Sequence, residues 1–356
     1  MKVNRKQLLT TLGHLKPGLA NKEIIEQSTS FIFTEGKVLT YNDEVAVQAP
    51  VEDLGFTGAV KAKELISLLE KLKDDEIDLS VPSGAELLVR MKKSSAGIRL
   101  EQDTTAIHDI IRGVGGPSEW WELPATFLPA ALFCSFSAGS DMTKPLLTCL
   151  CFSGRDVWAS DNFRATHYDM GASAALQFQE PLLIPALVIK DLRGYAPIEF
   201  SMTNGWAHFR NDAGVIFSCR VMEGTYPEDA IRKIVLAGDE AKAQRVKLPE
   251  GVTDALERAG IFSSSSALKV ANDNRVSISL EEGLLTLRGE GAAGWFEEES
   301  RAQYQGAPVE FEVSPDVLQE ILAHTHEATI GERVLRFKGE NFTHAVWVLA
   351  GKGKKK

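Results

Sequence analysis

The sequence predicts an α+β protein built from three copies of one domain. Three segments, which start near Gly58, Leu182 and Val309, repeat the same order of elements. In each, a short apolar lead-in precedes apolar residues at helical spacing, and a strand of alternating polarity, a turn and a second strand follow. The segments are spaced by roughly 120 residues, which is typical of domains and too long for solenoid repeats.

The helix of each of these segments is predicted from a cluster of large aliphatic residues. The clusters are Leu65, Leu68, Leu69 and Leu72; Leu187, Val188 and Leu192; and Val317, Leu318, Ile321 and Leu322. The turns between the two following strands are predicted at Ser83-Gly84, Asn204-Gly205 and Gly331-Glu332.

The first half of each copy is predicted in the same way. Helices are expected at Val3–Leu15, Phe127–Phe136 and Val252–Phe262. Strand pairs are expected at Ser30–Thr34 with Lys37–Thr40, Leu146–Phe152 with Asp156–Ser160, and Arg275–Leu280 with Leu284–Arg288. Glycine follows at the turns Glu35-Gly36, Ser153-Gly154 and Glu282-Gly283, where positive φ is needed. A last strand closes each copy at Ala96–Leu100, Val215–Val221 and Thr343–Leu349.

Domain boundaries are predicted at a glycine-rich breaker, Gly113–Pro117, and at a polar link, Gly238–Ala243. The three domains are therefore 1–117, 118–240 and 241–356. A chain of 356 residues also exceeds the size at which one hydrophobic core stops growing, about 250–300 residues.

Composition narrows the class of protein. No apolar run approaches the roughly 20 residues that cross a bilayer, and the N-terminus has no hydrophobic signal core, so no membrane role is expected. The four cysteines stand in apolar contexts, which favours free thiols in a reducing cytoplasm: Cys134, Cys149, Cys151 and Cys219. The net charge of −10 argues against a protein that grips nucleic acid over its whole outer surface.

Signatures of catalysis are weak. Neither glycine-rich nucleotide-binding motif opens a helix after a strand, and Gly113–Gly116 lacks the required lysine. Asp161 and His167 are too far apart to define an acid–base pair, and the Glu297–Glu299 run is typical of a solvated strand edge. His324 and His326 lack a third metal ligand nearby. We therefore expect no enzyme activity, no metal and no cofactor; an unrelated enzyme is the minor alternative.

Two motifs in the middle domain resemble those of bacterial DNA sliding clamps, the DNA polymerase III β subunits. Residues Trp158–Ala165 (WASDNFRA) resemble the A-T-D-x-x-R-L segment of that family, and Val215–Glu228 resembles its F-x-S-(K/R)-L-(V/I)-(D/E)-G-x-(F/Y)-P-D segment. Weaker similarity continues through Val252–Glu299. The resemblance implies a cytoplasmic, nucleoid-associated processivity factor: a head-to-tail homodimer whose six domains close into a ring around double-stranded DNA, with helices lining the hole.

Three sets of site residues follow from this resemblance. Basic residues are expected to face DNA: Arg5, Lys6, Lys22, Lys61, Lys63, Lys71, Lys144, Lys190, Arg193 and Arg258. A pocket is expected to bind short peptide motifs of DNA polymerase and clamp loader: Leu147, Ser160, Asn162, Phe163, Arg164, Ala165, Pro227, Val346 and Val348. The dimer interface is expected to contain Ile107, Ile110, Ile111, Ile261 and Phe262.

Each set has an alternative. The cations could be ordinary solvated side chains, the aliphatic pocket residues could fill strand cores, and the interface isoleucines could pack within one subunit. Asn162-Phe163 stands where the family has Gly-His, Ala165 replaces a leucine, and the basic end Lys352–Lys356 replaces an apolar close, so a shifted peptide preference is expected. The basic end itself is expected to be a solubilising tail, with a DNA or protein contact as the alternative. The alternative to a clamp is a three-domain repeat scaffold that does not encircle DNA.

Overall fold

A computed structural model describes residues 1–52, 54–174, 180–236, 244–263 and 274–351. The chain divides into two compact units. Unit 1 comprises Met1–Leu128 and Ile184–Glu223, and unit 2 comprises Pro129–Leu183 and Gly224–Lys356. The polar link predicted at Gly238–Ala243 and the basic end Lys352–Lys356 lie outside the described residues.

The order of elements repeats three times. The first copy contains β1 (Lys2–Asn4), α1 (Arg5–His14), β2 (Ser30–Thr34), β3 (Lys37–Tyr41), β4 (Val45–Pro50), β5 (Gly58–Lys61), α2 (Ala62–Lys71), β6 (Glu76–Ser80), β7 (Glu86–Arg90) and β8 (Ser95–Glu101), and α3 (Thr105–Val114) follows it. The second contains β9 (Trp121–Glu122), α4 (Phe127–Ser135), β10 (Cys149–Ser153), β11 (Asp156–Ser160), β12 (Arg164–Asp169), β13 (Leu182–Pro185), α5 (Ala186–Leu192), β14 (Glu199–Thr203), β15 (Trp206–Arg210) and β16 (Ile216–Arg220), and α6 (Glu228–Val235) follows it. The third contains β17 (Gln244–Lys247), α7 (Val252–Ser263), β18 (Val276–Glu281), β19 (Leu284–Gly291), β20 (Gly294–Arg301), β21 (Gln303–Tyr304), β22 (Val309–Val313), α8 (Pro315–Leu322), β23 (Glu327–Ile330), β24 (Val334–Lys338), β25 (Phe342–Trp347) and β26 (Leu349–Ala350). The predicted α+β class and threefold repeat of elements are confirmed.

Unit 1 is organised around a twelve-stranded sheet of order β1-β6-β7-β8-β5-β2-β3-β4-β16-β15-β14-β9. The first and second copies join where β4 pairs antiparallel with β16, with Val47 opposite Phe217. Both residues are buried, so the junction is continuous with the apolar interior of this unit.

Unit 2 holds a nine-stranded sheet, β13-β10-β11-β12-β25-β24-β23-β17-β21, and a five-stranded sheet, β20-β19-β18-β22-β26. The second and third copies join where β12 pairs antiparallel with β25, and this pairing sets Arg164 opposite Val346. Strand β20 is the edge of the smaller sheet, so the run Glu297–Glu299 lies on an edge strand.

The first two helices show how the sequence determines their positions. Helix α1 begins at Arg5 instead of Val3 because the Asn4 side chain caps it, accepting hydrogen bonds from the backbone amides of Lys6 (3.0 Å) and Gln7 (3.1 Å). Helix α2 buries Leu65 and Leu69, one turn apart on the same face, and its basic residues lie on the exposed side.

Several elements differ from the sequence prediction. Helices α3 and α6 and strand β4 were not predicted, and the strand expected from Leu146 begins at Cys149 because Pro145–Thr148 forms a 3-10 turn. The glycine-rich segment Gly113–Pro117, where a domain boundary was predicted, contains the end of a helix. Helix α3 continues through Gly113 and stops before Gly115, whose φ of 83° only glycine adopts readily.

Candidate functional site

The residues expected to form the peptide pocket all belong to unit 2, where they surround the β12–β25 junction. The turn that leads into β12 is fixed by Asp161, whose Oδ1 accepts hydrogen bonds from the amides of Phe163 (2.7 Å) and Arg164 (2.9 Å). Ser160 Oγ donates to the Arg164 carbonyl at 2.9 Å and closes the turn from the other side. Burial raises the pKa of the Asp161 carboxyl, although the Arg164 charge and the two amides oppose that rise.

The Arg164 guanidinium is neutralised within the chain. Its Nε lies 3.2 Å from Asp161 Oδ2, and its Nη1 donates to Glu320 Oε2 on α8. The guanidinium carbon also lies 5.6 Å from the centre of the Phe136 ring. The side chain of Arg164 is 10 % exposed, whereas that of Glu320 is 48 % exposed. A ligand that bonds the Nη1 atom of Arg164 would have to share it with the Glu320 carboxylate.

The apolar members of the set differ in exposure. Ala165, Val346 and Val348 are buried in unit 2, so they belong to its apolar interior. Leu147 and Phe163 are half-buried, and Asn162 and Pro227 are exposed at the surface. These four residues are thus the members that a ligand can contact directly.

Helix α6 lies beside the β12–β25 junction, and it was not predicted from the sequence. It begins after Pro227 and packs against β12 and β25. Its sequence nevertheless carries the signals of a helix: acidic residues in the first turn, basic residues in the last, and Ile231 and Val235 buried one turn apart. Gly224, just before it, approaches Leu146 so closely that a Cβ would lie 2.7 Å from that side chain.

Lys144, which was expected to face DNA, contacts a residue of the expected peptide pocket. Its Nζ donates to Asn162 Oδ1 at 2.8 Å, and both side chains are exposed. A residue expected to face DNA and one expected to face a peptide are therefore direct neighbours.

The other residues expected to face DNA divide into two groups. Five are exposed cations of unit 1 that form no ion pair with any described carboxylate; we call them the unpaired cations: Lys22, Lys63, Lys71, Lys190 and Arg193. Two of them lie on α2, and the last two lie on and just after α5. The hydroxyl of Tyr195 donates to the His14 carbonyl, which holds the end of the α5 segment beside the end of α1.

The four cations of the second group are held by partners within their own unit, and three of them form close ion pairs. Lys6 lies 2.9 Å from Asp75, Lys61 lies 2.6 Å from Glu23, and Arg258 forms a two-pronged pair with Glu298 at 2.7–3.0 Å.

Arg5 was expected to be an exposed cation that faces DNA, and this expectation is wrong because the residue is nearly buried. It is 9 % exposed, and its guanidinium donates to the carbonyls of Leu69 and Asp74, both at 2.8 Å. The residue satisfies carbonyls at the end of α2 and just beyond it, so its position is structural.

The residues expected at the dimer interface are also divided. Ile107 is buried in an apolar cluster of unit 1 that includes Ile32 and Trp206, and Ile111 packs against that cluster. Ile110 is 38 % exposed and Ile261 is 70 % exposed. Phe262 stacks on Phe296, with ring centres 6.5 Å apart and planes 6° from parallel.

The cysteines are all free and buried. Burial raises the pKa of the Cys149 thiol to about 11 and that of Cys151 to about 12, so neither is a reactive thiolate near neutral pH. Within the described ranges, no group of three or more His, Cys, Asp or Glu side chains could hold a metal ion. None of the helices of the described residues is long and apolar enough to cross a membrane.

The repeated elements and their sheet order define the fold of DNA sliding clamps. The chain matches a sliding clamp from Bartonella birtlesii, solved bound to griselimycin, with a TM-score of 0.81 over 99 % of both chains at 17 % identity. It matches the clamp of Pseudomonas aeruginosa with a TM-score of 0.80 over 99 % of both chains at 16 % identity. A DNA polymerase III β subunit of Eubacterium rectale matches with a TM-score of 0.80 over 98 % of both chains at 14 % identity. No protein-family model matches the sequence, and no curated protein matches it.

Proposed function

We propose that this protein is a sliding clamp, a processivity factor that encircles duplex DNA and tethers a polymerase and other replication or repair proteins. The observation that carries the proposal is the correspondence of the fold with DNA polymerase III β subunits over 98–99 % of the chain. The unpaired cations of unit 1 support it, because exposed cations without internal partners can guide a phosphate backbone. A net charge of −10 agrees with holding DNA by enclosure, since a protein that encloses DNA needs few tight phosphate contacts. In this role the chain is a non-catalytic scaffold with no cofactor, and it works where DNA is replicated, in the cytoplasm.

The ring would be a head-to-tail homodimer in which the first domain of one chain, within 1–117, meets the last domain, within 241–356, of the other. Ile110 and Ile261 are the exposed apolar candidates for that interface. An interface that a loader opens and recloses needs a modest apolar centre with a polar rim. Solution mass tests this directly. We expect twice the chain mass of 39.0 kDa, and Ile261→Asp should shift the protein toward the monomer mass.

The groove at the β12–β25 junction would bind short peptides of polymerase and clamp loader. Half-buried Leu147 and Phe163 suit leucine or phenylalanine anchors of such a peptide. The paired state of Arg164 and the departures at Asn162, Phe163 and Ala165 favour a peptide preference different from that of a typical clamp.

Topology distinguishes a clamp from a repeat scaffold that does not enclose DNA. The protein is incubated with nicked circular DNA, the cell's own clamp loader and ATP, and the DNA-bound fraction is isolated. A clamp stays on the circle and is released when a restriction enzyme linearises the DNA. Binding that is equal on circular and linear DNA would favour the scaffold and contradict the proposal.

A further inference from the structure

Four cations stand on one face of the nine-stranded sheet of unit 2. They are Arg245 and Lys247 on β17 and Arg336 and Lys338 on β24, and we call them the sheet quartet. They line a hollow of about 380 Å³ together with Gln303, Glu327 and Thr329. None of the four forms an ion pair with a carboxylate among the residues that the structure describes.

Strand register orders the quartet into two rows. Thr329 is opposite both Arg245 and Arg336, so these three residues form one row across the sheet. Glu327 is opposite Lys247, and continuing the β23–β24 register by one position brings Lys338 level with Glu327. These three residues form the second row. The cations within a row are two strands apart, about 9–10 Å, and the rows are about 6.6–6.8 Å apart along the strands. That second spacing is comparable to the separation of successive phosphates along one extended nucleic-acid strand.

The position of Arg336 is fixed by the fold. Its Nε and Nη2 donate to the Ile234 carbonyl in the last turn of α6, at 3.2 and 3.0 Å. One edge of the quartet is thereby held in place before any ligand binds, which lowers the entropy lost on binding.

The hollow continues along the sheet edge. A second hollow of about 740 Å³ shares Arg245 and Gln303 with the first and is lined further by Gln244 and Gln305. Most polar side chains of the two hollows are arginine, lysine, glutamine and threonine, which contact phosphate and sugar in nucleic-acid complexes. The exceptions are the acid Glu327 in the first hollow and Tyr304 in the second, whose ring is buried.

The lining favours nucleic acid over an acidic protein surface. Val246 and Ala328, the apolar residues of the first hollow, are buried, so no exposed apolar or aromatic anchor stands at its centre. Protein interfaces depend on such anchors. A ligand held by its charged backbone alone does not need them.

We propose that the sheet quartet binds the phosphate backbone of a single nucleic-acid strand, independently of its sequence. Because the lining residues offer no exposed aromatic ring, bases are not stacked and affinity comes from phosphate contacts. The chain as a whole has a net charge of −10, which repels nucleic acid, and the sheet quartet is a positively charged patch within it. The inference does not rest on the proposed clamp function.

The test is fluorescence anisotropy of a labelled 20-nucleotide oligo(dT) against the full chain. Four phosphate contacts predict that the logarithm of affinity falls with the logarithm of salt concentration with a slope of about −2.8. Lys247→Glu with Lys338→Glu should weaken binding at least tenfold and reduce the slope to about half. Glu327→Gln should strengthen binding about twofold to threefold, because it removes the only acid that lines the first hollow.

The matched control is Lys92→Glu with Lys93→Glu, which makes the same change in net charge on an exposed loop of unit 1. We expect it to leave affinity within about twofold. Thermal melting checks that each variant folds. If the double glutamate variant does not fold, the double variant Lys247→Gln with Lys338→Gln is used instead. Equal losses in the quartet and control variants would overturn the proposal. It would also be overturned if a duplex of the same length or a poly-glutamate peptide bound as tightly as oligo(dT).

Discussion

In unit 1, Lys63, Lys71 and Lys190 lie on exposed helix faces without a carboxylate partner among the described residues, whereas in unit 2 Arg164 and Arg258 are each paired with acidic side chains. The difference shows that the positively charged side chains of this protein have two roles, one structural and one in binding. A cation that is buried or paired with a carboxylate within the chain holds elements together, and an exposed cation without a carboxylate partner can bind a ligand. Within unit 1 the same contrast separates buried Arg5 from the exposed cations of α2.

The largest effect should come from a cation that is held inside the fold. Arg5→Met leaves the carbonyls of Leu69 and Asp74 without their charged donor, so we expect the free energy of unfolding to fall by about 3 kcal/mol. Lys6→Met, which removes an exposed pair with Asp75, should change it far less, because solvent screens that pair. Urea unfolding measures both. A small effect of Arg5→Met would mean that its buried contacts do not stabilise the protein.

A buried histidine of unit 1 should make stability depend on pH. Burial lowers the pKa of His208 to about 4 from an ordinary value of 6.5, and the ring nitrogens face the hydroxyls of Thr203 (2.6 Å) and Ser218 (2.8 Å). The unfolded chain therefore binds the extra proton first as the pH falls. The contribution is fully present above pH 6.5 and declines toward pH 4, by about 3 kcal/mol at most.

The variant His208→Gln isolates this contribution. The difference in unfolding free energy between wild type and variant should shrink as pH falls from 6.5 to 4, measured by urea unfolding at each pH. A difference that stays constant over this range would show that His208 does not titrate between the folded and unfolded states.

The unpaired cations should matter for DNA and little for stability. Lys63→Glu, Lys71→Glu, Lys190→Glu and Arg193→Glu together should reduce loading on nicked circular DNA at least tenfold, because they reverse the charge that guides the backbone. The melting temperature should change little. The paired Arg258→Ala is the contrasting variant, and we expect loading within about twofold of wild type. An equal loss in both variants would remove the distinction between paired and unpaired cations.

The smallest effect should appear at the peptide groove. Glu320→Gln frees one side of the Arg164 guanidinium, so a peptide with an acidic residue next to its apolar anchors should bind about threefold to fivefold more tightly. A peptide with neutral flanking residues should bind as it does to wild type. Glu257→Gln, an exposed acid on α7, is the matched control. Isothermal titration calorimetry that shows the same gain for both peptides would contradict the role given to Glu320.

Much of the fold could be predicted from local patterns. The strands Ser30–Thr34 and Asp156–Ser160 agree with the prediction at both ends, because each is a mainly apolar run that adjoins a turn containing glycine. Helix α3 was missed because Gly113, read as a breaker, lies inside its last turn. The start of β12 could not be predicted because Arg164 is a buried strand residue only through its pairing with Asp161 and Glu320.

The site could be predicted only in part for a related reason. The resemblance located the β12–β25 region, and it could not show which side chains are exposed. Arg5 appears in sequence as an ordinary helix cation, and only the proximity of the α2 carbonyls makes it structural. Glu320 is a contact of the groove through tertiary packing, 156 residues away from Arg164 in the chain, and no local pattern indicates it.

The central claim is that DNA is held by enclosure and not by adhesion, and the salt dependence of residence time on DNA tests it most directly. After loading on nicked circular DNA, the lifetime of the complex is measured from low salt to about 0.5 M salt, where exposed charges are strongly screened. Enclosure predicts a lifetime that changes little over this range on the circle. A lifetime that falls steeply with salt on the closed circle would contradict the account, because it would show that phosphate contacts hold the protein.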